Sequence, residues 1–172
     1  VNLKYGAYQD IVFHDNRFTG NGVCSGEGVA LTVKARDDGG YGANPAGLNG
    51  VTITHNYFDG NERSIRIGEP GKNNAGPSNV EIAFNDFMGT AGCSTGGSPI
   101  ADVLNYTQSD LTANANFWGS PAGPSSDQIV ESPGLVQVIN WLDKESGSGV
   151  FQDPAKLMVT VWNDANENRP NN

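Results

Sequence analysis

Four segments of this chain align on one another without a gap: residues 10–20 (DIVFHDNRFTG), 50–60 (GVTITHNYFDG), 79–89 (NVEIAFNDFMG) and 110–120 (DLTANANFWGS). Each carries an Asn followed two residues later by an aromatic ring, and the Asn positions 16, 56, 85 and 116 are separated by 40, 29 and 31 residues. Internal similarity at such a period marks a repeat architecture, and a period this variable requires repeats whose loops differ in length. Stacked helix pairs do not tolerate that; coils of short strands do. Before each Asn the side chains alternate. Ile11 and Phe13, Val51 and Ile53, Val80 and Ile82 fall on one face, with Val12, His14, Thr52, Thr54, Glu81 and Ala83 on the other, the two-residue period of a half-buried strand.

A second strand follows in every repeat: residues 29–33 (VALTV), 65–67 within RSIRI, and 100–104 (IADVL), with Leu3 expected in the same strand of an earlier coil. Strand, turn, strand and loop, repeated in one sense, stack into a solenoid with parallel sheets. Equivalent residues of adjacent coils then lie about 4.8 Å apart. Phe18, Phe58, Phe87 and Trp118 are expected to form an interior aromatic ladder, and Asn16, Asn56, Asn85 and Asn116 a second ladder that binds the stranded backbone groups of a corner. Both are structural roles. Only residues 127–131 and 153–157 look briefly helical.

The rest of the composition narrows the class. Ten Lys and Arg against nineteen Asp and Glu give a net charge of -9, which repels phosphate backbones and argues against nucleic acid as a partner. No apolar run reaches the length of a membrane span, so no membrane insertion is expected. Residues 1–5 have neither the basic start nor the apolar stretch of a signal peptide, and any targeting segment is expected to have been removed already.

Two long glycine-rich loops, residues 34–49 (KARDDGGYGANPAGLN) and 68–78 (GEPGKNNAGPS), follow the same strand in successive coils, so they should project side by side from one edge. Loops on a rigid scaffold are where such proteins keep binding residues. Two readings stay open: Arg36, Asp37, Asp38, Tyr41, Arg66, Glu69 and Lys72 line a sugar-binding groove with Tyr41 as a stacking ring, or the loops are simply solvated. Cys24 and Cys93 each lie eight residues after a ladder Asn, in insertions the middle coil lacks. Two coils apart is about 9.6 Å, beyond the roughly 7 Å reach of a disulfide from the sheet itself, so a bridge requires both loops to arch over the short turn at Arg63 and Ser64. That bridge is expected, with two buried thiols as the alternative.

The repeat resembles that of the pectate-lyase-like superfamily of parallel β-helices. NANFWGSPAGPSS (residues 114–126) is similar to the Asn-x-Trp-Trp-Gly-Ser-x-x-Gly-Pro segment that closes such helices in secreted proteins, with Phe117 in place of the first Trp, and VQVINWL (residues 136–142) looks like the short strand that follows it. The resemblance covers about residues 1–142 and implies an all-β, right-handed parallel β-helix. The expected layout is about four coils over residues 1–124, then a cap and tail over residues 125–172, to which residues 157–162 (LMVTVW) add a strand. The amino end lacks a comparable cap, so another domain or chain is expected there. The implied setting is secreted or at the cell surface.

Function follows less directly. β-Helix lyases need acidic ligands for calcium and a base beside a uronic carboxylate, and hydrolases need two carboxylates across a glycosidic bond. Neither constellation is complete: Asp15 aligns with His55 and Phe84, while Glu81 aligns with Val12 and Thr52. The best compact set is Arg36, Asp37 and Asp38 near Arg63 and Arg66. Whether the chain belongs to a lyase or hydrolase therefore stays open, and calcium is the one cofactor the resemblance leaves room for. His14 and His55 lie one register apart, so strict alternation puts them on opposite faces and argues against a shared metal. DANEN (residues 164–168) lacks the turn Gly and the later Glu of an acidic calcium loop. Asn105-Tyr106-Thr107 is a glycosylation acceptor pattern.

The expected function is a module that binds or helps process a polysaccharide on its exposed sheet and edge loops, the alternative being a non-catalytic structural or adhesive segment of a larger surface protein. Binding to ice would need a regular row of Thr, and the outward series Val12, Thr52, Glu81, Thr112 interrupts one.

Overall fold

The structure is a computed structural model, and it describes residues 1–25, 28–93, 98–146 and 151–152. The first coil contributes β1 (Asn2–Leu3), β2 (Gly6–His14) and β3 (Arg17–Thr19), and the second β4 (Leu31–Ala35), β5 (Ala46–Thr54) and β6 (Tyr57–Asp59). The third contributes β7 (Arg63–Gly68), β8 (Ser78–Ala83) and β9 (Asp86–Phe87), and the fourth β10 (Ala101–Tyr106), β11 (Leu111–Thr112) and β12 (Asn116–Phe117). Then come β13 (Ile129–Glu131), β14 (Val136–Gln137) and β15 (Trp141–Leu142), with β16 (Phe151–Gln152) after them.

Every third strand joins the same sheet. The orders are β1-β4-β7-β10-β13, β14-β11-β8-β5-β2 and β16-β15-β12-β9-β6-β3. All neighbours are parallel except β15 and β16, which are antiparallel. Three parallel sheets built this way are the faces of a β-helix-like solenoid. Residues 129–142, expected within a cap, add a fifth rung to each sheet. Residues 127–131, expected to be briefly helical, are strand from Ile129, because Ile129, Val130 and Glu131 pair in register with Val103, Leu104 and Asn105 and the ladder outweighs local propensity. The segments 153–157 and 157–162 lie outside the described residues.

Inside the three sheets Val33, Val51, Ile53, Phe58, Ile65, Ile67, Ile82, Phe87 and Val103 are fully buried. The aromatic ladder forms as expected: ring centroids of Phe18 and Phe58, Phe58 and Phe87, Phe87 and Trp118 are 4.9, 5.3 and 4.8 Å apart, all stacked. The Asn ladder forms too. Each Oδ1 accepts from both the backbone N–H and the Nδ2 of the Asn one rung before it, at 2.9 and 3.0 Å at all three steps. Each Nδ2 also donates to a strand carbonyl of the previous rung, Asn56 to Phe13 (2.9 Å), Asn85 to Ile53 (2.8 Å) and Asn116 to Ile82 (2.7 Å). The corner thereby satisfies groups that the sheets leave unpaired.

Two features depart from the expected pattern. The segment 34–49 is not all loop: β4 runs to Ala35 and β5 begins at Ala46, with Ala46 and Leu48 buried ahead of Val51 and Ile53. That change of parity within one strand needs a backbone reversal, supplied by left-handed Gly50 (φ 85°) between its rung neighbours Asp10 (φ 55°) and Asn79 (φ 53°). A Cβ on Gly50 would sit 2.6 Å from Asp10 Oδ1, so no other residue fits without displacing that side chain. The second departure is at the Asn corner, where Asp15, His55, Phe84 and Ala115 are all left-handed, with φ of 57°, 56°, 56° and 57°. Strict alternation ends there, and the expectation that His14 and His55 face opposite ways is overturned: their ring centroids are 5.0 Å apart.

Candidate functional site

The edge loops do meet. Arg36 makes a two-pronged ion pair with Asp38, Nε to Oδ1 at 2.6 Å and Nη2 to Oδ2 at 2.9 Å, and its guanidinium lies 4.6 Å from the centre of the Tyr41 ring. From the next coil Glu69 accepts from Lys34 Nζ at 2.7 Å and lies 4.0 Å from Arg36 Nη1, while Lys72 Nζ is 3.8 Å from Asp38 Oδ2. Asp37 turns to the neighbouring loop, accepting from Asn74 Nδ2 at 2.6 Å and from the Ala75 N–H at 2.7 Å. Tyr41 sits in the only 3₁₀ turn among the described residues, Gly39–Tyr41, and its ring is 5.4 Å from that of Tyr5. Arg66 lies on the adjacent sheet, in register with Thr32 and Leu104.

Arg36, Asp38, Tyr41, Glu69 and Lys72 are therefore neighbours along one edge with their charges engaged with one another, while Asp37 turns to Asn74 and Ala75 and Arg66 keeps its place on β7. The Arg36 hydrogen bond holds Asp38 below the usual carboxylate range, and the Lys34 hydrogen bond does the same for Glu69. Carboxyls held ionised in this way are poorly suited to act as general acids. Arg63, expected near this set, lies elsewhere. It is fully buried with Glu62, Nη1 to Oε1 at 2.9 Å, and it donates to the carbonyls of Gly28 (3.1 Å), Pro99 (2.9 Å) and Ser98.

That buried pair lies beneath the expected disulfide. Cys24 and Cys93 are bonded, their Cα atoms 4.9 Å apart. Glu62 Oε2 accepts from the N–H of Ser25, so the pair from the middle coil binds both arching loops from below. A second Asn step was also missed: Asn21 N–H and Nδ2 both donate to Asn61 Oδ1, at 3.0 and 2.8 Å. Its signal was present, since each Asn lies five residues after a ladder Asn, in FTGN and FDGN.

Two open cavities lie away from the predicted residues. One, of about 340 Å³, sits on the outer face of the β14-β11-β8-β5-β2 sheet and is lined by Asn79, Val80, Glu81, Asp110, Leu111, Thr112 and Gln137. The other, of about 430 Å³, is lined by Met88, Gly89 and the turn from Trp118 to Gln128. On the first face the row Val12, Thr52, Glu81, Thr112, Gln137 is in register through all five rungs. Amides, hydroxyls and a carboxylate thus recur at strand spacing along an open groove.

Among the described residues no group of three or more His, Cys, Asp or Glu side chains converges as a metal site, and no helix is long and apolar enough to cross a membrane. One carboxyl has its pKa raised: burial pushes Asp102 up, against hydrogen bonds from Gln128 Nε2 and Ser64 Oγ, both 2.8 Å. It is enclosed and has no route to a substrate on the groove.

Fold and grooves define a parallel β-solenoid with open surface grooves of mixed polar and apolar lining. Comparison with protein-family models, with curated proteins and with solved structures returns no match.

Proposed function

We propose that this chain is a polysaccharide-binding module of a secreted or cell-surface protein, built as a right-handed parallel β-helix of the pectate-lyase-like kind. The observation that carries the reading is the open groove over three rungs, where Asn79, Glu81, Asp110, Thr112 and Gln137 present polar groups beside Val80 and Leu111 at the strand spacing of about 4.8 Å. A closed apolar pocket would suit a small molecule; an open, rigid, hydroxyl- and amide-lined face suits a polymer. The edge cluster lies away from this groove, and its Tyr5 and Tyr41 rings, 5.4 Å apart, are a separate stacking element. The Cys24–Cys93 disulfide suits an oxidising compartment.

Titration calorimetry against a panel of acidic and neutral polysaccharides tests the reading. Binding should weaken about 10-fold or more in the double variant Glu81→Gln, Asp110→Asn, and less in Tyr41→Ala. Failure of every polysaccharide to bind the native chain would sink it.

A second reading is favoured by the mutual pairing of Arg36, Asp38, Glu69 and Lys72, which serves rigidity without any ligand. Under it the chain is a structural or adhesive segment whose first rung meets another domain or chain. Tyr5 and Val12 are exposed there, and Ile11, Phe13 and Phe18 only half-buried. End-to-end association in small-angle scattering, without glycan affinity, is the outcome this reading requires.

A further inference from the structure

The left-handed corner that brings His14 beside His55 also fixes how the two imidazoles are presented. We propose that they form a surface site for a divalent d-block cation, bound through both Nε2 atoms with water in the remaining positions.

Three observations carry this. The rings sit on adjacent rungs with centroids 5.0 Å apart and planes tilted by 43°. Each Nδ1 already has an oxygen partner: Asp15 Oδ2 lies 2.6 Å from that of His14, and Thr54 Oγ1 lies 2.8 Å from that of His55. An imidazole whose Nδ1–H is donated to an oxygen, as the Asp15 carboxylate requires of His14 and the Thr54 hydroxyl allows for His55, keeps the lone pair on Nε2, the tautomer that binds metals. The third is the support below. Phe84 stacks on His55 at 5.3 Å and 16°, so the column's open side is the His pair, and β2 and β5 hold the two rungs in register, His14 opposite Thr54.

The chemistry selects the ion. Bonds of about 2.1 Å to each nitrogen span two Nε2 atoms roughly 3 to 4 Å apart, a separation compatible with ring centroids 5.0 Å apart. Imidazole suits zinc, nickel and copper, whereas calcium takes oxygen ligands and gains nothing from this pair. With two protein ligands the ion is held loosely, and its open positions face solvent, where a carboxylate or hydroxyl of another molecule can enter. Neither the groove farther along the same sheet nor polysaccharide binding is required for the site to exist.

Zinc titrated into the native chain, free of any affinity tag, tests the proposal. One equivalent should bind, and nitrogen-detected imidazole spectra should show the Nε2 signals of both His14 and His55 moving. His14→Ala and His55→Ala should each lower the affinity about 10-fold or more, and Asp15→Asn, which leaves both ligands in place, should lower it less. All three positions are exposed, and an unchanged thermal midpoint without metal verifies that the variants fold. Zinc binding that survives in the double His variant, or spectra in which zinc leaves both Nε2 signals unmoved, overturns the assignment.

Discussion

Asn85 makes five hydrogen bonds from one buried amide, as acceptor from Asn56 N–H and Nδ2 and as donor to Ile53, Ala83 and Asn116. Its removal strands groups on two rungs at once, and each buried polar group left without a partner costs about 1 to 3 kcal/mol. Asn85→Ala should therefore lose several times more stability in urea unfolding than Asn16→Ala, whose side chain is exposed. Equal losses would show that the ladder does not carry the corner. Asp102 gives a prediction of a different kind, because burial raises its pKa and no cation among the described residues pairs with it. A raised folded value means the native state binds the proton more tightly than the unfolded chain. The resulting stabilisation is complete below the unfolded pKa, about 4, and is lost as pH rises through the folded value. The stability of the native chain relative to Asp102→Asn should thus fall steadily from pH 4 upward, measured by urea unfolding at each pH. A pH-independent difference would refute the shift. Asp38 and Glu69 have the opposite sign, since partners lower their pKa values and their contribution fades as pH falls.

The strands and corners are held by stacking, and the aromatic ladder is where that can be weighed. Phe87 is fully buried between Phe58 and Trp118, so Phe87→Ala should cost about 3 to 5 kcal/mol of unfolding free energy, while Phe18→Ala, half-buried on the first rung, should cost clearly less. Both ladders were legible in the sequence because the four segments align without a gap, so a position in one repeat names its neighbour in the next. What the alignment could not carry was backbone handedness. Nothing in the residue types Asp15, His55, Phe84 and Ala115 announces a shared left-handed corner, since Phe and Ala seldom adopt one and only the rung as a whole imposes it. His14 and His55 were misplaced for that reason. Gly50 and Asn79 are better signals, and with Asp10 they mark the bend that lets β5 start at Ala46. At the edge, loop placement was readable because both loops follow the same strand. The pairing of Arg36 with Asp38 and of Lys34 with Glu69 was not, because it depends on side-chain directions set by stacking. The burial of Glu62 with Arg63 was not legible for a simpler reason: charged residues are almost never fully buried unless paired, and their partners come from two insertions of unrelated length.

At the scale of the whole chain a solenoid is nearly one-dimensional, each rung touching only the next, so separate parts can open separately. The Cys24–Cys93 bond works against this by tying the loop after the first coil to the loop after the third, across 69 residues of sequence. Closing a loop of that length removes unfolded-state entropy worth about 4 kcal/mol at most. Its geometry adds a local effect, because the bridge rests on Arg63 and Glu62 and thereby binds the middle coil as well. The double variant Cys24→Ser, Cys93→Ser should therefore lose up to about 4 kcal/mol. It should lose it unevenly. In hydrogen exchange the amides of β5 and β8, inside the closed loop, should exchange faster, whereas those of β11, in the fourth coil and outside it, should keep their protection. Uniform acceleration along the chain would mean that all five rungs unfold as one unit, and the nearest-neighbour description of this solenoid would then have to be given up.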